Sequence, residues 1–214
     1  ANGIKVYLFD SLRPVPELSY SIRHLKCQSG VMVTASHNPK EYNGYKAYWE
    51  DGAQIAPEQA KVVSAERAKF DVLDTSGIMD FDEGVKCGLI TILDEKFDEK
   101  YLDAVIATSV NANAVKDVAD ELKVVYTPLN GAGNKPVRTI LSKIGINDVT
   151  VVEEQEMPDG NFTTCPYPNP EIREALELGL KKCEEVKPDL LLATDPDCDR
   201  VGIAVPSDNG FVLF

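Results

Sequence analysis

Apolar positions along this chain switch repeatedly between short solid runs and helical spacing. Residues 4–9 form an apolar run that predicts a buried strand, followed by a helix over residues 14–25 with Pro14 and Pro16 in its approach or first turn. Residues 31–34 predict the next strand, and residues 45–49 alternate as a third. Residues 57–70 read as a helix opened by Pro57 near its first position. Residues 71–94 are acidic and weakly periodic, with Gly77, Gly84 and Gly88, and predict short elements joined by turns.

A second unit is expected to begin near Glu95. Phe97, Tyr101, Leu102, Val105 and Ile106 share one helical face within residues 97–109. Strands are then predicted over residues 123–126, 149–153 and 190–194, with helices over residues 135–144 and 171–183. Residues 201–205 and 211–213 predict a hairpin around Ser207-Asp208-Asn209-Gly210, where Asn-Gly favours a tight turn. Strands alternating with helices indicate an α/β layered architecture.

Two segments at predicted strand ends carry the chemistry, on the edge where open α/β sheets bind ligands. Thr34-Ala35-Ser36-His37-Asn38-Pro39 offers an exposed hydroxyl beside an imidazole, among turn formers whose N–H groups can face an anion. Ser36 there suits a nucleophile for phosphate or a serine already carrying one, with Lys46 as a nearby cation; a plain structural turn remains open. Asp195, Asp197 and Asp199 alternate, and an extended backbone would point all three carboxylates to one side. At ~4 Å, each pair of such anions repels by about 4 kcal/mol at an effective dielectric of about 20. The cluster therefore calls for a cation or for raised pKa values. Oxygen-only ligands select a hard ion such as Mg²⁺, and Arg200 would stand beside it, ready to fork a phosphate. A plain polar turn between the flanking strands remains open, and an aspartate-nucleophile phosphatase loop is a second enzymatic reading, which the third aspartate and Arg200 disfavour.

The formal charge of −13 argues against nucleic acid and against an anionic membrane as partner. Five cysteines without CxxC or metal-ligand spacing suggest reduced thiols and a cytoplasmic setting. No apolar run approaches the ~20 residues that span a bilayer. The apolar segments at both ends suggest a fragment of a longer protein. Thr127-Pro128-Leu129-Asn130-Gly131-Ala132-Gly133-Asn134-Lys135-Pro136 looks superficially like a dinucleotide fingerprint, but Pro136 fills its last glycine slot, so a tight turn into a helix is expected. His24 reads as a surface or packing residue.

The string Thr34-Ala35-Ser36-His37-Asn38-Pro39-Lys40-Glu41-Tyr42-Asn43-Gly44-Tyr45-Lys46 closely resembles the active-site signature of the α-D-phosphohexomutases. The wider stretch, through Tyr48-Trp49-Glu50-Asp51-Gly52-Ala53-Gln54, looks most like the phosphoglucomutase/phosphopentomutase branch. Asp195-Pro196-Asp197-Cys198-Asp199-Arg200 resembles the family's metal loop, where a small residue, commonly Ala, stands at the position of Cys198. The resemblance implies two consecutive layered α/β domains with mixed sheets. Residues 1–94 would be the latter part of a first domain bearing the phosphoserine loop, and residues 95–214 a second domain bearing the metal loop. Further domains, holding the sugar-recognition and phosphate-clamp loops, would belong to the same chain.

The implied reaction interconverts a sugar 1-phosphate and 6-phosphate, glucose before mannose or pentose, through phosphoserine and glucose 1,6-bisphosphate as intermediate and activator. Ser36 would carry the phosphate, His37 and Asn38 would organise it, and Lys46 or His37 would move protons. Asn38 and Arg200 would contact substrate, while Ser36, Asp195, Asp197 and Asp199 would bind Mg²⁺. A fragment that binds metal and phosphate without turnover, or one that leaks phosphate to water, is the alternative.

Overall fold

The computed structural model describes residues 3–71, 73–208 and 210–214. Asn209 of the predicted turn lies outside them. The first half is built on two small sheets. β1 (Val6–Phe9) pairs parallel with β4 (Ile90–Leu93), and β2 (Ser29–Val33) pairs antiparallel with β3 (Tyr45–Trp49). Between β1 and β2, α1 (Val15–His24) starts behind Pro14 and buries Val15 and Ile22 against Tyr48 of β3. After β3 come α2 (Pro57–Arg67), with Pro57 at its first position, and α3 (Phe81–Lys86), capped by Asp80. Residues 4–9 are not the buried strand their run of apolar residues suggested: Val6 and Leu8 are 41% and 43% exposed. Among the described residues, β4 is the sole strand paired with β1.

The second half opens with α4 (Glu95–Ile106), capped by Asp94, and the short α5 (Ala112–Lys116). One five-stranded sheet follows in the order β6-β5-β7-β8-β9. β5 (Lys123–Thr127), β6 (Asp148–Val151) and β7 (Leu190–Thr194) run parallel, joined through α6 (Asn134–Lys143) and α7 (Glu177–Val186). β8 (Val201–Ser207) and β9 (Gly210–Leu213) complete it antiparallel, so the sheet is mixed. Val125, Leu191, Ala193 and Ala204 form its buried core with Leu176 and Cys183. The helix expected over residues 171–183 divides into a 3-10 turn, Arg173–Leu176, and α7. The Asn169 side chain accepts from Glu171 N at 3.1 Å and tightens the entry.

The two halves meet along α1 and α4, where Tyr20, His24, Phe97 and Tyr101 pack ring on ring. His24 is thus a packing residue, stacked on Tyr20 at 5.1 Å. No described helix is long and apolar enough to cross a membrane.

Candidate active site

The serine loop leaves the end of β2. Thr34 N donates to Gly44 O at 3.1 Å, and a Cβ on Gly44 would sit 1.9 Å from the Thr34 carbonyl oxygen, so a glycine is required for this approach. Within the loop, Ser36 N donates to Thr34 Oγ1 at 2.8 Å, and Asn38 donates to the Ala35 carbonyl through both its backbone N (3.1 Å) and its Nδ2 (3.0 Å). These bonds hold Ser36 in the left-handed region, at φ 54°. Such a conformation costs a non-glycine residue about 1–3 kcal/mol and marks sites where geometry serves function. Asn38 therefore organises the loop through the Ala35 carbonyl.

Ser36 Oγ is presented to the second half of the chain. It donates toward Asp195 Oδ2 and Asp197 Oδ1, each at 3.1 Å, and lies 3.3 Å from His37 Nδ1. The His37 ring meets Tyr167 edge-on at 6.2 Å. The Pro-rich segment around Tyr167 therefore props the imidazole.

The aspartate loop converges, but by a different route from strand alternation. Residues 195–200 form a tight turn: Cys198 is left-handed at φ 56° and its N donates to Asp195 O at 2.9 Å. Asp199 N and Arg200 N both donate to Asp195 Oδ1 at 3.0 Å. The loop is thus wound around the Asp195 carboxylate, and this winding brings Asp199 back. One carboxylate oxygen from each of Asp195, Asp197 and Asp199 lies within 4.8 Å of the others. Asp195 is 0% and Asp197 4% exposed.

These buried charges are unevenly compensated. Lys46 Nζ reaches from β3 to Asp197 Oδ2 at 2.8 Å and Asp199 Oδ2 at 3.0 Å, and Thr34 Oγ1 adds a bond to Asp197 Oδ2 at 3.2 Å. Burial works to raise the Asp197 pKa, but donation from Lys46, from Asp195 and from Ser36 outweighs it and holds the group below its ordinary value. Among the described residues no cation pairs with Asp195. Burial first, then the adjacent Asp197, push its pKa up to about 7. A fully buried carboxylate so placed, beside two others and a hydroxyl, is a donor set that fits a hard divalent cation such as Mg²⁺.

Two sequence expectations change here. Burial alone would lower the Lys46 pKa, but Asp197 and Asp199 raise it above the ordinary value, so of the proton-moving roles expected for Lys46 that of a neutral base is disfavoured. The Arg200 fork, expected beside the metal and ready for phosphate, is held by Glu171 at 2.7 Å; its backbone N instead serves the loop. Cys198 sits inside the turn with its thiol pushed up to about 12 by burial, so it packs as a small apolar side chain.

Sequence reasoning passed over two supports. The turn after β5, read correctly as a tight turn into a helix, is also pressed onto the aspartate loop: Ala132 N donates to Pro196 O at 2.8 Å, and a Cβ on Gly131 would meet Pro196 Cα at 2.4 Å. The run Gly131-Ala132-Gly133 was the available signal, since small residues mark close backbone approach. The other support is Val15, whose N donates to Asp197 O at 2.9 Å.

Comparison with known proteins finds two family models. Residues 1–71 match phosphoglucomutase/phosphomannomutase alpha/beta/alpha domain I, and residues 99–209 match alpha/beta/alpha domain II. The chain is 36% identical over 213 residues to a phosphoglucomutase of Staphylococcus haemolyticus, covering 98% of this chain and 37% of that protein. It is 35% identical over 211 residues to the "Probable phosphomannomutase" of Haemophilus influenzae, covering 97% of this chain and 41% of that one. A solved structure of a phosphomannomutase-like protein from Thermus thermophilus superposes with a TM-score of 0.73 at 29% identity, over 95% of this chain and 42% of the other. The chain spans about two fifths of the length of these relatives.

Proposed function

Because this chain belongs to the phosphoglucomutase/phosphomannomutase family, we propose that it carries the phosphoserine and metal loops of an intramolecular sugar phosphotransferase. In this reading residues 1–94 and 95–214 are its first two domains, and the surfaces that grip the sugar belong to further domains. The observation that carries the proposal is the meeting of Ser36 Oγ with Asp195 and Asp197 at 3.1 Å across 159 and 161 residues of sequence.

Phosphorylated Ser36 gives its phosphoryl group to a sugar hydroxyl. The P–Oγ bond breaks, a P–O bond to the sugar forms, and the hydroxyl proton passes to a base. His37, 3.3 Å from Ser36 Oγ, would serve as the base, and Lys46, kept as an ammonium by Asp197 and Asp199, would serve as acid and counter-charge. The bisphosphate turns over, and its other phosphoryl group returns to Ser36. Mg²⁺ held by Asp195, Asp197, Asp199 and Ser36 would supply neutralisation of charge on the group in flight. The serine loop brings the nucleophile to that charge already oriented, at the cost of its left-handed backbone. Arg200 would contact phosphate on exchanging Glu171 for it.

Glucose phosphate is the favoured substrate, supported by the name of the Staphylococcus haemolyticus relative; mannose and pentose phosphates are the competitors. The chain is incubated with radiolabelled glucose 1,6-bisphosphate and Mg²⁺, with the mannose and ribose bisphosphates alongside. Label mapped to Ser36 and lost in Ser36→Ala is the expected result. Absence of label from Ser36 with all three donors, or release of inorganic phosphate alone, would overturn the proposal.

A further inference from the structure

A cavity of about 540 Å³ opens between the approach to α1, helix α4 and the start of α6. Among the charged side chains on its wall are Arg13, Glu17 and Asp98, which have no part in the chemistry above. Arg13 is buried. Its Nε donates to Asp98 Oδ1 at 2.8 Å, its Nη2 to Asp10 Oδ1 at 3.0 Å, and its Nη1 to Ser11 Oγ and to Leu12 O at 3.2 Å. One guanidinium thus ties the end of β1, the loop after it and α4 together.

Glu17, in the first turn of α1, is 1% exposed, and its Oε1 has no hydrogen-bond partner among the described residues. Its carboxyl lies against Asp98, which Arg13 neutralises. An anion so buried, with an oxygen unanswered and a second carboxylate adjacent, is strongly disfavoured. Burial first, and Asp98 second, push the Glu17 pKa up to about 8, so Glu17 stands as a neutral acid donating to Asp98. Tyr101 of α4 also faces Glu17, and Asp10 faces Arg13.

Between Arg13 and Glu17 the chain makes the Pro14–Val15 step, whose Val15 N–H holds the Asp197 carbonyl. The preceding carbonyl, of Pro196, is held by Ala132 N–H. Two successive carbonyls of the aspartate loop are therefore gripped from two halves of the chain, and the cluster braces the first of these grips. We propose that Arg13, Glu17 and Asp98 are positioning residues for the aspartate loop, bracing the Pro14–Val15 step against α4 so that Asp197 stays in line with Asp195, Asp199 and Ser36. The inference deepens the phosphotransferase reading and rests on it.

The test uses Mn²⁺ as probe, titrated into the full chain and followed by electron paramagnetic resonance, with Val15 amide exchange measured by NMR without metal. Supporting contacts behind metal ligands are typically worth about 10–100-fold in affinity. Arg13→Lys and Asp98→Ala should weaken Mn²⁺ binding by about tenfold or more and speed Val15 exchange in step. Glu17→Gln keeps the shape and the donor and cannot ionise. It should bind Mn²⁺ like the parent near neutrality and keep its affinity above about pH 8, where the parent weakens several-fold as Glu17 ionises. Folded variants that lose melting temperature while Mn²⁺ affinity and its pH profile stay those of the parent would overturn the inference. Should the larger replacements fail to fold, Glu17→Gln alone decides through that profile. Failure of the phosphotransferase reading looks different: the parent itself then binds no Mn²⁺ and takes no phosphate on Ser36.

Discussion

Replacing Asp195 by Asn should stabilise the metal-free protein at about pH 8 and abolish its response to Mg²⁺. Asparagine offers an Oδ1 in place to accept from Asp199 N and Arg200 N, both at 3.0 Å in the parent, and an Nδ2 donor toward Asp197. What it removes is a fully buried negative charge. The folded-state pKa of Asp195, about 7, lies above the ordinary 3.8. Between those values the folded chain holds a proton that the unfolded chain has released. Stability is therefore fully present below about pH 4, lost as pH rises toward about 7, and level above it. At 1.36 kcal/mol per pH unit, that gap bounds the gain at about 4 kcal/mol. Asp197, coupled to Asp195 and lowered in turn, takes back part of this, leaving on the order of 2–4 kcal/mol. For a chain of this length that is roughly 4–16 °C in melting temperature. The assay is thermal unfolding of both proteins in chelator at about pH 4 and about pH 8, then with excess Mg²⁺. The parent should rise with Mg²⁺ by mass action and the variant should not. A variant less stable than the parent in chelator at about pH 8, or one stabilised equally by Mg²⁺, would refute the reasoning.

Gly131→Ala places a methyl 2.4 Å from Pro196 Cα and 2.6 Å from its carbonyl oxygen. It should cost about 1–3 kcal/mol in unfolding experiments and weaken Mg²⁺ binding by calorimetry, because the aspartate loop must move. Lys46→Met strips the cation from Asp197 and Asp199. Phosphate transfer to Ser36 should fall by about 10²-fold or more, and the Asp197 carboxyl should titrate higher by NMR. Glu171→Gln breaks the 2.7 Å pair with Arg200, which is half-buried on one side and exposed on the other. Stability should change by less than about 1 kcal/mol, while inorganic phosphate, followed by ³¹P NMR, should bind several-fold tighter if the released fork meets it.

The positions of both reactive loops were readable because each follows a run whose burial is written in its composition. Residues 190–194 are apolar up to Thr194 since β7 has neighbours on both edges and layers on both faces, and there the expected and observed bounds coincide. β4 was not readable as the partner of β1. That pairing joins residue 6 to residue 90, and nothing in the acidic stretch between them encodes a register. The aspartates were rightly expected to converge, but alternation cannot anticipate a carboxylate that captures two N–H groups downstream and folds its own loop. Likewise the left-handed backbone of Ser36 has no local signature, because Ser is chosen there for its hydroxyl and the strain is carried by Thr34, Asn38 and Gly44. Arg13 and Glu17 looked like the approach and first turn of a helix; their meaning depends on Asp98, more than eighty residues away.

A phosphoryl group has to arrive at this site against the chain's formal charge of −13, so what matters is the balance within a few ångströms of Ser36. Three carboxylates stand there against one ammonium, and Asp195 is left with its pKa raised to about 7. Phosphorylating Ser36 adds about −1.5 to −2 charge beside two carboxylates that already lie 3.1 Å from its oxygen. Lys46 cannot answer that addition, since Asp197 and Asp199 already engage it. A divalent cation can answer it, and in doing so lowers the raised pKa of Asp195. Phosphate on Ser36 and cation on the aspartates therefore favour each other, and linkage makes the effect reciprocal. The geometry that makes the metal-free cluster uncomfortable is the same geometry that couples its two ligands.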